Sequence, residues 1–320
     1  MTRITVGSRG SLLAVTQTEW VINRLRKAHP NLELDHKIIK TTGDLDQKTR
    51  LDKLAGMGVF VKELRTALLN GGIDCAVHSL KDVPEEEPEG LTLACFPERE
   101  DARDVFISRG CRFYELSAGS RVGTGSPRRV LQLEKIRPDL KYVSLRGNLD
   151  TRIRKVREGK LDGIVVAAAG VKRLNRAEEI IHYFSFEQMI PAIGQGALTI
   201  ECRSADTQSL RTVKIINDDL TEGAVRLERE FMNRVGGGCK APMASHVYFT
   251  GGGLRMMAIL GDLKKKKWSR SERTAGLDGT EELVEEISGN IIEDCRDRGI
   301  PLPRDLPENA LLQGTDSIDA

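Results

Sequence analysis

Through the first two-thirds of the chain, short apolar runs alternate with longer segments in which apolar residues recur every three or four positions. Short runs bounded by Gly, Pro, Asn and Asp read as strands, and the longer period reads as amphipathic helix. Ile4 to Gly7 is the first strand. A polar turn, Gly7-Ser-Arg-Gly-Ser11, leads into Leu12 to Ala28, where Leu12, Val15, Val21, Ile22 and Leu25 repeat at helical spacing. Leu34 to Lys40 alternates as a strand does. Thr41 to Gly58 is polar, contains glycine and has no clear period, so it reads as a mobile loop. Val59 to Asn70 predicts a helix closed by Gly71-Gly72. Ile73 to Val77 and Leu91 to Cys95 predict strands.

A second series of strands and helices follows. Asp104 to Ser108, Arg121 to Gly123, Tyr142 to Leu145, Gly163 to Ala168 and Ala197 to Cys202 read as strands. Ser126 is placed to cap a helix whose first residue is Pro127. Leu149 to Glu158 predicts a helix ended by Gly159. From about Thr221 the texture changes. A charged helix, Glu222 to Arg234, runs into Val235-Gly-Gly-Gly-Cys239. Strands are expected at His246 to Thr250, Arg255 to Gly261 and Lys267 to Ala275, with a hairpin turn at Gly251-Gly-Gly253. Thr280 to Arg296 is an amphipathic helix, and Pro301 to Ala320 reads as a polar tail. The pattern predicts an α/β fold with mostly parallel pairing, followed by a small α+β domain.

The polar motifs fall at telling places. Gly7-Ser-Arg-Gly-Ser11, His78-Ser-Leu-Lys-Asp82, Gly123-Thr-Gly-Ser-Pro-Arg-Arg129, Arg146-Gly-Asn148 and Lys172-Arg173 each follow a predicted strand. Open α/β sheets bind ligands beyond the carboxyl ends of their strands. Helix amino-termini there supply N–H donors and a positive dipole end. Arg9, Lys81, Arg128, Arg129, Arg146, Arg152 and Arg173 are therefore candidates to line one cleft for a ligand rich in carboxylate or phosphate. Taken one at a time, each reads equally well as an ordinary surface arginine. Asp82, among these cations, is either a salt-bridge partner or an acid/base group that can also stabilise a cationic intermediate. His78 reads as a packed, hydrogen-bonded residue.

Composition narrows the function classes. Lys and Arg number 49 against 47 Asp and Glu, a formal charge of +2, and aromatics are 4%. Neither suits a protein that coats nucleic acid. The six cysteines are scattered, with no zinc spacing; five read as small buried hydrophobes. Cys239 differs, because three glycines precede it and Lys240 follows. That loop is compatible with an exposed, activated thiol, and equally with a turn holding an inert one. The Lys264 to Lys267 run reads as a solvated hairpin tip. Met1-Thr-Arg-Ile-Thr-Val reads as a strand rather than an export signal, and no apolar run is long enough to span a membrane. A reducing cytosol is the expected compartment. Three rival readings follow from the residues alone: a two-lobed receptor for an organic anion, a nucleic-acid binder, and an enzyme using Cys239 as an ordinary nucleophile. The first leaves Asp82 and the Cys239 loop unexplained. The second conflicts with the charge balance, and the third lacks a histidine in the Cys239 motif.

The motifs Val6-Gly-Ser-Arg9, Phe60-Val-Lys-Glu-Leu64, Ala76-Val-His-Ser-Leu-Lys-Asp-Val-Pro84, Gly123-Thr-Gly-Ser-Pro-Arg-Arg129, Leu145-Arg-Gly-Asn148, Gly194-Gln-Gly-Ala197 and Gly236-Gly-Gly-Cys239, in this order and spacing, resemble the porphobilinogen deaminase family. The resemblance covers about three-quarters of the chain, from Arg3 to about Ala244. It implies two lobes like those of periplasmic binding proteins plus a small C-terminal α+β domain. Domain 1 would comprise residues 1–97 and 197–216, domain 2 residues 98–196, and domain 3 residues 217–320 with the cysteine loop. It implies a dipyrromethane cofactor held by Cys239 through a thioether, and a monomer whose partner is the small molecule porphobilinogen, with no nucleic acid or membrane involved. Asp82 would be the catalytic carboxylate. It would assist loss of ammonia from porphobilinogen, balance the resulting positive pyrrole nitrogen and help loss of the α-proton. Four such condensations and a hydrolysis would yield hydroxymethylbilane.

The resemblance also assigns the binding residues. Cys239, Lys81, Asp82, Ser126, Arg128, Arg129, Arg146 and Gly147 would hold the cofactor. Arg9, Ser11, Lys53, Phe60, Arg152, Arg173 and Gln195 would hold the substrate, whose acetate and propionate call for cations. The Thr41 to Gly58 loop is similar to a segment that covers the family's site. Met57 stands where many members carry a second lysine, and Gly125 replaces a common serine, which removes one hydroxyl contact.

Overall fold

The computed structural model describes residues 3–40, 61–236 and 242–305. In chain order the elements are β1 (Arg3–Arg9), α1 (Leu12–Ala28), β2 (Glu33–Ile39), α2 (Lys62–Leu69), β3 (Cys75–Ser79), β4 (Leu91–Cys95), β5 (Asp104–Ser108), β6 (Arg121–Thr124) and α3 (Pro127–Ile136). There follow β7 (Lys141–Ser144), α4 (Leu149–Arg157), β8 (Gly163–Ala167), α5 (Ala168–Arg173), β9 (His182–Tyr183), β10 (Leu198–Arg203) and α6 (Thr207–Lys214). The chain closes with α7 (Asp219–Val235), β11 (Met243–Thr250), β12 (Gly253–Asp262), β13 (Lys267–Ala275) and α8 (Thr280–Asp297). Two compact units result: Met1–Glu100 with Gly196–Arg226, and Asp101–Gln195 with Leu227–Ala320.

The first unit is built on a five-stranded sheet in the order β2-β1-β3-β10-β4. The apolar stripe of α1 explains its docking. Val21, Ile22 and Leu25 pack on Ile4 and Val6 of β1, Val77 of β3 and Ile200 of β10. The opposite face is covered by α2, whose Leu64 and Leu68 meet Ile73, Ala76 and Leu91. A sheet buried on both faces explains why β3 reads as a continuous apolar run. Each fully buried aliphatic side chain contributes roughly 1.5–3 kcal/mol relative to exposure. The α2 helix stops where expected, with Gly71 in the left-handed region at φ 69° and the Gly72 N–H donating to the Ala67 carbonyl at 2.8 Å.

The second unit contains another five-stranded sheet, β7-β6-β8-β5-β9, and the antiparallel meander β11-β12-β13 with α8. Ile153 and Val156 of α4 join Val105, Ile164 and Val166 on one face. Leu133 of α3 joins Phe106, Phe113 and Phe184 on the other. The C-terminal strands read from the sequence are present, β13 with the expected bounds and β11 and β12 longer than expected, with Gly251-Gly252 forming the β11–β12 turn. None of the described helices is long and apolar enough to cross a membrane.

Three expectations need correcting. The five-stranded sheets are mixed rather than mostly parallel. β1 pairs parallel with β2 and β3, whereas β10 runs antiparallel to β3 and β4. Likewise β6 is parallel to β7 and β8, whereas β5 is antiparallel to β8 and β9. The reversed strands β5 and β10 are the first that the chain lays down on passing from one unit to the other. No βα crossover precedes them, so nothing imposes the parallel sense. Second, α6 was not legible, because Leu210 and Val213 are its only apolar residues. Third, Cys111 is exposed on a loop, while Cys75, Cys95, Cys202 and Cys295 are buried as expected.

Candidate active site

Strand β3 is buried as far as His78 and ends in a single 3-10 turn, Leu80–Asp82. Leu80 and Val83 are buried against Phe96 and Ala197 and pin the turn on either side of Asp82. Asp82 itself stays exposed. The turn is also held by backbone bonds, from Leu80 N–H to the Ala197 carbonyl and from Val83 N–H to the Leu80 carbonyl, both 3.0 Å. Asp82 is therefore a solvent-reachable carboxylate on a rigid support.

Asp82, Arg9 and Ser11 line one solvent-open cavity, together with Gln17, His78 and Ser79 and an apolar wall that includes Leu13 and Val61. Arg9 ends β1, and Ser11 is the N-cap of α1, where its Oγ accepts the Ala14 N–H at 3.3 Å. The remaining first-turn N–H groups have no partner within the helix, which suits an anion. Gln17 and Ser79 hydrogen-bond to each other, Nε2 to Oγ at 3.0 Å. Sequence reasoning missed both. A signal existed for Gln17: it lies four residues before Val21, a polar residue at a core position of the helix. His78 is buried, and its Nε2 is 3.1 Å from Oε2 of Glu201, whose Oε1 accepts Arg65 Nε at 2.9 Å. Burial raises the Glu201 carboxyl, but the hydrogen bond and charge of His78, with Arg65, outweigh it and hold the group below its ordinary value. The expectation of a packed, hydrogen-bonded His78 holds. Lys81 is partly buried on the same turn.

In the second unit, α3 begins at Pro127 and carries Arg128 and Arg129, both buried. Sequence reasoning saw two cleft arginines and missed their anchor, Asp104, at the start of β5. Arg128 Nη1 donates to Asp104 Oδ2 at 2.7 Å and to the Ile190 carbonyl at 2.6 Å. Arg129 Nε donates to Asp104 Oδ1 at 2.9 Å, and Nη1 to the Val165 carbonyl at 3.2 Å. Gln195 Nε2 closes the group, donating to Asp104 Oδ1 at 3.0 Å and to the Ala102 carbonyl at 2.7 Å. Burial alone would raise the Asp104 carboxyl. The two guanidinium charges and their hydrogen bonds instead hold it far below the carboxylate range.

Ser126 occupies the N-cap position of α3, yet its side chain makes no cap hydrogen bond. Backbone bonds from Arg129 and Val130 N–H to its carbonyl close the first turn. Beyond β7, Gly147 adopts φ 99°, and Asn148 caps α4, its Oδ1 accepting the Thr151 N–H at 2.9 Å. Arg152 Nε donates to the Gly147 carbonyl at 2.8 Å. Burial, then the nearby Arg129 cation, push the Arg152 guanidinium down to about 10. Arg146 and Arg173 are partly buried, on the β7–α4 turn and at the end of α5. Gly125 now has a packing reason: a Cβ there would lie 2.6 Å from the Leu145 carbonyl oxygen. Lys53, Met57, Phe60, the Thr41 to Gly58 loop and Cys239 lie outside the described residues.

The second-unit residues fit a carboxylate-bearing group. Arg128 Nε is buried without a hydrogen-bond partner among the described residues, and two guanidinium charges share the Asp104 carboxylate. Comparison with known proteins agrees. The family model "Porphobilinogen deaminase, dipyromethane cofactor binding domain" matches residues 4–211, and "Porphobilinogen deaminase, C-terminal domain" matches residues 223–306. The porphobilinogen deaminase of Syntrophus aciditrophicus (strain SB) is 44% identical over 289 residues, 90% of this chain and 94% of that one. That of Geobacter sulfurreducens is 44% identical over 306 residues, 96% of this chain and 92% of that one. Among solved structures, the methionine-binding protein MetQ is similar at a TM-score of 0.43 and 14% identity, over 66% of this chain and 88% of that one. With the two family models together matching residues 4–211 and 223–306 and such identity over nine-tenths of its length, the chain belongs to the porphobilinogen deaminase family.

Proposed function

We propose that the chain condenses four molecules of porphobilinogen head to tail, with loss of ammonia, and releases hydroxymethylbilane by hydrolysis. The observation that carries this reading is the first-unit cavity, where one exposed carboxylate, Asp82, shares a wall with Arg9 and the amino-terminus of α1. Porphobilinogen brings an aminomethyl group, cationic near neutral pH, and two carboxylates. Arg9 and the α1 N–H groups suit the carboxylates, and Asp82 suits the cation. As ammonia leaves, positive charge spreads over the ring toward the pyrrole nitrogen. A fixed carboxylate there stabilises that charge without reorganising. The same group then accepts the proton lost from the ring α-carbon. Leu80 and Val83 hold Asp82 in position for both tasks.

Dipyrromethane, attached through Cys239, supplies the nucleophilic α-carbon that starts the chain. Lys81, Ser126, Arg128, Arg129, Arg146 and Gly147 are the residues we assign to hold it, with Arg9, Ser11, Lys53, Phe60, Arg152 and Arg173 assigned to substrate; Gln195, expected from the resemblance to hold substrate, is fully buried on Asp104 and the Ala102 carbonyl and is assigned to the support beneath the arginines instead. We also divide the chain into domains 1–97 with 197–216, 98–196, and 217–320. In support, the strands of each sheet fall within one of these three segments. Free thiols at five described cysteines fit a reducing cytoplasm, and a monomer completes the reading. Intact mass tests it. The purified protein is expected to carry two linked pyrroles on Cys239 and to gain mass in one-pyrrole steps with porphobilinogen. A Cys239 that stays bare would favour an anion-binding receptor instead.

A further inference from the structure

Asp104 is fully buried at the head of β5, and the two guanidinium groups of α3 meet on it, one at each oxygen. Like charges side by side in the interior repel, and each has lost its water. A single carboxylate between them offsets one charge and leaves the trio at +1. Geometry is fixed as well. The Ile190 and Val165 carbonyls take further guanidinium N–H groups, so each arginine is gripped at more than one point. Gln195 is fully buried and holds both partners, donating to Asp104 and lying with Oε1 3.4 Å from Arg129 Nη2. After these bonds Arg128 Nε still has no hydrogen-bond partner among the described residues. A held pair with net positive charge and an unused buried donor is poised for an incoming carboxylate.

We propose that Asp104, braced by Gln195, is the positioning residue that keeps the Arg128 and Arg129 guanidinium groups set for the carboxylates of the bound pyrroles. Asp104 itself touches no ligand. The proposal rests on the proposed function and extends it to the support beneath the arginines. A positioning role predicts that removing the charge weakens binding while the chemistry, centred on Asp82, is spared.

The test compares Asp104→Asn, Asp104→Glu and Gln195→Ala with the wild type by thermal melting, intact mass and steady-state kinetics. In Asp104→Asn, the fraction of purified protein carrying the two-pyrrole adduct is expected to fall. Its KM for porphobilinogen should rise about tenfold while kcat per adduct-bearing molecule stays within about twofold, the signature of lost uniform binding. Asp104→Glu, which restores the charge, should recover part of both, and Gln195→Ala should shift KM in the same direction by a smaller factor. Wild-type adduct fraction and KM in Asp104→Asn would overturn the proposal. So would Asp104→Glu behaving no better than Asp104→Asn. If Asp104→Asn does not fold, Gln195→Ala decides, and an unchanged KM there overturns it. A wild type inert to porphobilinogen would remove the proposed function and this inference with it, whereas an active wild type with an unaffected Asp104→Asn removes the inference alone.

Discussion

At the scale of single residues, two carboxylates sit in opposite settings. Asp82 is exposed on a pinned turn, and Asp104 is sealed under two arginines. The first was legible because its neighbours in sequence, Lys81 and Pro84, are also its setting. The second was not, since its partners lie 24 and 25 residues further along and only the fold joins them. Asp82→Asn keeps size and the turn's hydrogen bonds but loses the charge. It is expected to melt within about 1 kcal/mol of wild type, as exposed substitutions do, and to lose on the order of 10²-fold or more in turnover. An assay of ammonia release beside a thermal melt checks this, and turnover near wild type would take Asp82 out of its role. Cys239→Ala is expected to yield protein without covalent pyrrole, checked by intact mass. A pyrrole adduct mapped to another cysteine would contradict it.

At the scale of elements, the strongly periodic segments were read to within a few residues, because their apolar stripes are what the sheets bury. Where the stripe is thin, as in α6, the element went unseen. The Arg146-Gly-Asn148 motif shows how one run can serve two ends. Asn148, read as part of a ligand loop, is the N-cap of α4. Asn148→Ala is therefore expected to cost about 1 kcal/mol of stability, measurable by urea unfolding, whereas Asn148→Asp should cost far less. The Gly125 departure has a local cause too. Gly125→Ser, which restores the residue common in the family, forces the Leu145 carbonyl to move, and it is expected to destabilise by roughly 1–3 kcal/mol. A variant as stable as wild type would show that the β7–α4 turn yields freely.

At the scale of the whole molecule, the α/β class was legible in the alternation of runs, and the mixed pairing was not. Strand sense depends on where the chain re-enters a sheet, and no local pattern records that. Carboxylates held against cations set the response to acid, whether the partners come from distant segments, as for Glu201 and Asp104, or from the same stretch of chain, as for Glu222. Burial pushes the Glu222 carboxyl up, but Lys214, Arg226 and Asn217 more than offset it and bring it from 4.5 down to about 2. Glu201 and Asp104 are lowered in the same sense. A carboxyl with a lowered folded value adds stability above its unfolded value, and that share disappears as pH falls through the folded one. Stability should therefore begin to fall below about pH 6.5, where burial keeps the His36 and His182 imidazoles from binding the protons the unfolded chain takes up, and fall further as the Glu222 window between 4.5 and about 2 is crossed. Glu222→Gln should be less stable than wild type at neutral pH and should lose less across that window, so the two melting curves converge in acid. Parallel curves would mean that the ion pairs of Glu222 carry no share of the acid response, leaving the other lowered carboxyls, Glu201, Asp104, Asp101 and Asp206 among them, as its source.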